Sequence, residues 1–294
     1  AEGIAVDPSA ARSQQPTLLQ TGNGIPLVNI QTPTAAGVSV NQYTRFDIGE
    51  RGAILNNSHR NAQTQLGGWI QGNPWLAGAE ARIIVNQVNS SHPSLLNGYI
   101  EVVVANPAGI RVDGAGFINA SRALLTTGQP HYQDGALAGF AVRQGEVSVA
   151  GRGLDTQGSD YTHILAGATH INAPVWGRDV RIIAGQNDVS ADGGSATAAG
   201  SPSPSGASPT YVIDTGVLGG MYAGKITLVT THPDAVIRNR GQVFATAGAV
   251  AVDAAGKLVN SGTIAAPQLD IRSPEVDNRQ GKLLASRDAA VQLS

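Results

Sequence analysis

The residues able to do chemistry in this 294-residue chain are few and scattered. Of six histidines, His59, His92, His131, His163, His170 and His232, none stands in a His-x-His or His-Glu-x-x-His pattern. Metal sites gather three or four ligands, commonly from such closely spaced pairs. His163 and His170 are seven apart, and the first falls in a strand and the second in a turn. No metal site and no cofactor are expected. Cysteine is absent, which removes disulfides and thiolate ligands. The nearest approach to an acid/base set is Asp155, Asp160, Arg178 and Asp179. Clustered carboxylates beside a cation would suit a pectin-lyase-like polysaccharide enzyme. These four sit at turn positions, where Asp serves the turn itself, so the chain is not expected to be an enzyme. Trp69, Trp75 and Trp176 would make a sugar-stacking surface if two were coplanar and exposed; isolated tryptophans more often pack under loops.

The elements that carry these residues are short strands. Glycine is 37 of 294 residues, well above the usual ~7%, and charged residues are 14% against ~25%. Long surface helices need Lys and Glu, so this composition disfavours them, whereas Gly with Val, Ile and Thr favours strands and tight turns. Aromatics are 4%, leaving Val, Ile, Leu and Ala to build the core. The formal charge is −2 with no basic stripe, which excludes nucleic acid as an expected partner. No apolar run approaches the ~18 residues of a membrane span. The opening Ala1-Glu2-Gly3-Ile4 reads as a mature start after signal removal. The strand-like end at Gln292-Leu293-Ser294 reads as the interior of a longer stack.

Strand candidates run IPLVNI from Ile25, VSVNQYTRFDIG from Val38, ARIIVNQV from Ala81, then residues 99–104 and 109–112. Further candidates cover residues 137–149, 162–171, 180–184, 211–213 and 225–230. Between them, residues 190–209 are a low-complexity Ala/Gly/Ser/Pro tract. It buries too little apolar area to offset ordering entropy and reads as a mobile surface loop. Near the end a unit repeats: Asn239-Arg240-Gly241, Asn260-Ser261-Gly262 and Asn278-Arg279-Gln280-Gly281, the glycines 21 and 19 residues apart. A strand-like period near 20 marks a β-solenoid. One such coil cannot bury its own apolar face; stacking pairs every backbone and seals the core. Glycine is expected to supply positive φ at the corners, and stacked Asn to form a ladder. Removing loops leaves about 11–12 coils, a rod on the order of 55 Å.

The most informative stretch, residues 101–130 (EVVVANPAGIRVDGAGFINASRALLTTGQP), joins strand writing to an Asn-Pro turn and a Gly-rich turn. It resembles the signature segment of the two-partner secretion (TPS) domain of filamentous-haemagglutinin and contact-dependent-inhibition exoproteins. The likeness extends from Asn29 to about Gly262. It includes VNIQTPTAAGVSVNQYTRFDIGERGAILNNS, TQLGGWIQGNPWLAGAEARIIVNQV, FAVRQGEVSVAGRGLD and LGGMYAGKITLV in order. The family's motifs Asn-Pro-Asn-Leu and Asn-Pro-Asn-Gly-Ile read here Asn73-Pro74-Trp75-Leu76 and Asn106-Pro107-Ala108-Gly109-Ile110. Both lack the third Asn, which leaves the turn intact but removes that side chain from any contact with a transporter. Some relatives carry a Cys pair around the Asp-Gly-x-Gly-Phe turn; here Val112 and Ala115 stand there.

The resemblance implies an all-β, right-handed parallel β-helix with an N-terminal cap and extra-helical β-hairpins. It is expected as a single domain over 1–294: cap over 1–24, TPS-type helix over 25–237 with a flexible loop at 190–209, and the first haemagglutinin-type repeats over 238–294. The implied function is secretion targeting of a large exoprotein, recognised in the periplasm by POTRA domains of an outer-membrane TpsB-type transporter and nucleating the passenger's β-helix. The two Asn-Pro turns are the expected site, either read by the transporter or, as the favoured reading, fixing the β-turns that hold the helix. Localisation would be the cell surface of a Gram-negative bacterium, with a host-cell or neighbour-cell receptor for the full-length protein. The alternative is an adhesin module binding glycan or a host receptor.

Overall fold

The structure, a computed structural model, describes residues 3–100, 103–105, 108–200 and 210–294. It is a parallel β-helix whose three faces are built by strands recurring along the chain. The first face stacks Val38–Phe46, Ile83–Val88, Val103–Ala105, Arg122–Thr126, Tyr161–Ala166, Asp179–Ala184, Lys225–Thr230 and Ala249–Ala254. The second halves of Thr263–Arg272 and Lys282–Gln292 complete it. The second face runs from Ser94–Leu96 to Val276–Asp277, and the third from Ala115–Gly116 to the first half of Lys282–Gln292. Because Thr263–Arg272 continues unbroken round a corner, the first and third faces join into one 16-stranded sheet.

Register explains the core. Alternate residues of a strand point inward, so stacking puts like on like. Leu125, Ile164, Ile182, Leu228, Val252 and Ile271 form one continuous buried column. Leu154, Val175, Met221, Val243 and Ile264 form another, each fully buried. Each such side chain contributes about 1.5–3 kcal/mol on burial. Among the described residues these columns join in one main core, while Val38, Val40 and Val85 on the first rungs form a small cluster of their own.

Coil length is set by what leaves the helix. Ile182 faces Ile164, eighteen positions earlier, and Ile271 faces Val252, nineteen earlier. The step from Leu125 to Ile164 is thirty-nine, and from Ile182 to Leu228 forty-six. The extra residues build an extra-helical antiparallel sheet. Gln129–Gln133 pairs with Ala136–Val142, which pairs with Asn187–Ser190 and then Ala196–Ala198. The front of the Ala/Gly/Ser/Pro tract is thus a strand; residues 201–209 lie outside the described residues. Such excursions absorb more chain than expected. The first face therefore carries ten strands, about 45 Å of stacking, rather than eleven or twelve.

The N-terminal end is closed by pairing. Ile4–Val6 runs antiparallel to Val38–Phe46, while Thr17–Gln20 pairs antiparallel with Pro26–Asn29, which pairs parallel with Ile54–Asn56. A covered end removes a row of free backbone groups that would otherwise template another strand.

The repeat glycines follow a different physics from the one expected. Gly241, Gly262 and Gly281 do not have positive φ; in the last unit Gln280 does, at 64°. What excludes a side chain is the neighbouring coil. A Cβ on Gly262 would lie 2.1 Å from the Gly241 carbonyl oxygen, one on Gly241 2.2 Å from that of Gly219, and one on Gly281 2.2 Å from that of Asn260. The expected Asn ladder runs beside them. Asn239 Nδ2 donates to Asn260 Oδ1 at 3.0 Å, and Asn260 Nδ2 to Asn278 Oδ1 at 2.8 Å.

Candidate functional site

The first Asn-Pro turn sits where the cap meets the rod. Asn73 is 2% exposed although its neighbours Pro74 and Trp75 are exposed. Its Nδ2 donates to two carbonyl oxygens, Ile30 at 2.8 Å and Asn56 at 2.9 Å, tying together two separate segments of the cap sheet. Its Oδ1 accepts from the Trp75 N–H at 3.0 Å, an Asx turn that points the chain outward. The backbone adds Asn73 N–H to Ser58 O at 2.7 Å and Leu76 N–H to Asn73 O at 3.2 Å. Leu76, 1% exposed, buries itself in the main core. Trp75 lies on the surface, its Nε1 donating to Thr17 Oγ1 at 3.0 Å and its carbonyl accepting from Thr32 Oγ1 at 2.7 Å. All the hydrogen-bonding capacity of the Asn73 side chain that the structure records is spent inside the fold.

Of the second motif, Asn106 and Pro107 lie outside the described residues. Ala108 is half-buried. Gly109 has φ +119°, and a Cβ there would lie 2.8 Å from the Glu146 carbonyl oxygen, so both conformation and space require glycine. Ile110 is fully buried between Ser94 and Val147 on the second face. The first motif anchors the cap, and the described part of the second, residues 108–110, leads into the second face.

The residues singled out for chemistry do not converge. Asp160 meets Arg178 at 3.5 Å with both side chains mostly exposed. Asp155 instead caps its own turn through the Gln157 N–H at 3.1 Å. Among the described residues, no group of three His, Cys, Asp or Glu is placed to hold a metal ion. The tryptophans are apart. Trp69 is on the Gly68–Ile70 strand and 74% exposed, and Trp75 is at the cap. Trp176 is half-buried in register between Asp155 and Tyr222 on the third face. The next aromatic pair along that face, Tyr222 and Phe244, meets edge-on at 79°, not as a flat platform.

Charged groups that the sequence did not single out are organised along the rod. On the second face Arg238 grips Asp214 with two bonds of 2.9 and 2.7 Å, and its guanidinium lies 3.9 Å over the Tyr211 ring. Burial pushes the Asp214 carboxyl up, but the bonds and charge of Arg238, with Arg240 and His170, outweigh it and hold the carboxyl below its ordinary range. On the first face His163 accepts from Arg122 Nε at 3.1 Å, while Arg122 Nη1 donates to the Ala191 carbonyl at 2.6 Å. Gly193 sits over the ring, where a Cβ would come within 2.8 Å of Nδ1. Burial, with the charges of Arg122 and Arg181, pushes His163 down to about 4, so it is neutral and latches the extra-helical sheet to the rod.

Sequence reasoning also missed a hairpin. Residues 60–71 look polar, yet Ala62–Thr64 pairs antiparallel with Gly68–Ile70. The signal was the Gly67-Gly68 pair flanked by Thr64, whose Oγ1 accepts from the Gly67 N–H and donates to the Gly68 carbonyl. Ile70, Ala62 and Leu66 pack with Ile25, Leu27 and Ile54 in a small cluster separate from the main core.

The fold is a parallel β-helical rod with a paired cap and side hairpins, and among the described residues the groups singled out for chemistry stay apart. The sequence profile of the TPS secretion domain family matches residues 2–260, and the chain belongs to that family. It is 45% identical over 288 residues to the "Toxin CdiA" of Yersinia pestis, covering 95% of this chain and 9% of that protein. It is 46% identical to the "tRNA nuclease CdiA-2" of Burkholderia pseudomallei over 86% of this chain and 8% of that protein. It thus spans about a tenth of the length of these relatives. Among solved structures it is similar to the filamentous hemagglutinin secretion domain, with a TM-score of 0.87 and 28% identity over 99% of this chain and 100% of that one. The chain is therefore a secretion domain of an exported protein, whose route runs through the periplasm to the surface of a Gram-negative cell. Its family implies a TpsB-type transporter as partner.

Proposed function

We propose that this domain targets a large exoprotein for export by presenting itself to POTRA domains of the outer-membrane transporter, and that it then nucleates the passenger's β-helix. The observation that carries this reading is the family match running along nearly the whole rod, from its paired N-terminal cap onward. The domain itself performs no chemistry; any toxic or adhesive activity, and any receptor on a host or neighbouring cell, belongs to the full-length protein. The turn Asn73–Leu76 and residues 108–110 act by holding the fold in the form that is read.

Nucleation has a physical basis in the stacking. Each rung pairs with the one before it, so an emerging coil docks on a finished edge. One step interrupts this order: the Ala136–Val142 strand pairs with Asn187–Ser190, so the side sheet closes only after two further coils have arrived. The test is direct binding of the unmutated protein to the cognate periplasmic POTRA domains, in folded and in denatured form. Binding by either form is expected. Absence of binding by both overturns the targeting reading.

A further inference from the structure

The seam between the small hairpin and the rod holds a cleft of about 290 Å³. Its walls are two strand edges. Ile54–Asn56 ends the three-stranded cap sheet, and Ala62–Thr64 belongs to a two-stranded hairpin; among the described residues no further strand pairs with either. Its floor is apolar, with Leu66, Ile70, Ile100 and Ile118, and none of the lining residues is charged. The rim carries exposed amides, Gln63, Gln65 and Asn119. Trp69, 74% exposed, stands directly across the hairpin from Gln63.

We infer that this cleft receives an extended, uncharged peptide segment of the transporter's periplasmic domain, anchored by one apolar side chain. The inference rests on the targeting reading above and gives it a place. Size favours a peptide over a metabolite: the volume is at the bottom of the ~300–1,000 Å³ range of small-molecule sites, and no acidic or cationic side chain lines it to orient a small ligand, the Tyr99 hydroxyl being turned to Asp155. It is about twice the ~150 Å³ cavity that takes a benzene ring, so one large apolar side chain fits with room for its main chain. Strand edges that no further strand covers can pair with an added strand, while pockets beside them select side chains; of the Ile54–Asn56 edge the Asn56 carbonyl is already held by Asn73, which leaves Ala62–Thr64 as the more open edge. The absence of charge selects a neutral segment, since a charged one would lose its hydration without gaining a partner. Trp69 is the kind of exposed aromatic that anchors such contacts. The hairpin rests on its own small cluster rather than on the main core, so it can shift to admit a strand without disturbing the rod.

The chain has no cysteine, so single-cysteine variants label at one place. The folded unmutated protein, Ala62→Trp, which plugs the cleft, Gln63→Cys and a control, Lys225→Cys on the exposed first face, are each tested against the transporter's periplasmic domains. The cysteine variants carry a photo-crosslinker. The expected result is binding by the unmutated protein, a loss of more than about tenfold in Ala62→Trp, and crosslinking from position 63 but not from 225. If Ala62→Trp fails to fold, the crosslinking contrast decides alone. Equal binding by a folded Ala62→Trp, or equal crosslinking from both positions, overturns the cleft while leaving targeting intact. Loss of binding by the unmutated protein in both folded and denatured form overturns targeting and the cleft with it.

Discussion

Replacing Asn73 by Ala separates a turn that is read from a turn that builds. The side chain makes three hydrogen bonds, to Ile30 O, Asn56 O and from the Trp75 N–H, in a site 2% exposed. A buried hydrogen bond is worth about 0.5–1.5 kcal/mol net, and two carbonyls left without their donor add to that loss. The expected cost is about 2–4 kcal/mol. In a stacked fold this cost stays local, because each rung answers mainly to its neighbours. A whole-molecule melt would dilute it. Hydrogen exchange on the amides of residues 27–29, Ile54–Asn56 and Gly68–Ile70 is the better assay. Their exchange is expected to quicken roughly thirty- to several-hundred-fold, with the Lys225–Thr230 and Ala249–Ala254 strands unchanged. Asn73→Asp is expected to be worse than Ala. A carboxylate accepts from the Trp75 N–H but meets Ile30 O and Asn56 O with no donor to offer, so burial would force it to protonate. If Asn73→Ala leaves cap exchange within about twofold of the parent while transporter binding falls, the structural argument fails and the side chain is read directly.

Two further perturbations test the stacking and the latch. Gly262→Ala brings a Cβ to 2.1 Å from the Gly241 carbonyl of the preceding coil, which cannot move without breaking its own rung; destabilisation of about 2–3 kcal/mol is expected, confined by hydrogen exchange to the last coils. His163 falls from 6.5 to about 4 in the folded state, so the unfolded chain takes the proton first. Its contribution is whole above pH 6.5 and is lost as pH falls through about 4, on the order of 3 kcal/mol. His163→Gln keeps an acceptor for Arg122 without titrating, and denaturant unfolding followed from pH 7 to 4 should flatten accordingly.

Much of the rod was legible because its rules are periodic. Alternation of Val, Ile and Leu with polar residues names inward positions, and a twenty-residue Asn/Gly unit names a coil. Both are local patterns that stacking then satisfies without long-range information. The reason for the glycines was not legible. Positive φ is a property of one residue and can be guessed from a turn, as it is at Gly109. The contact of Gly262 with the carbonyl of Gly241 exists only once two coils are stacked, and a sequence shows the coincidence of glycines but not which atoms they admit. The same limit hid the Arg122–His163–Ala191 latch, whose members are 41 and 69 residues apart from Arg122. It hid the hairpin over residues 62–70 as well, where a polar exterior disguised two strands whose apolar partners, Ile25 and Ile54, lie elsewhere in the chain. In Asn73 the two kinds of information meet. Its place before Pro74 announces a turn, but its burial against Ile30 and Asn56 is tertiary, and that burial argues that the motif acts first by building the surface and only through it on a partner.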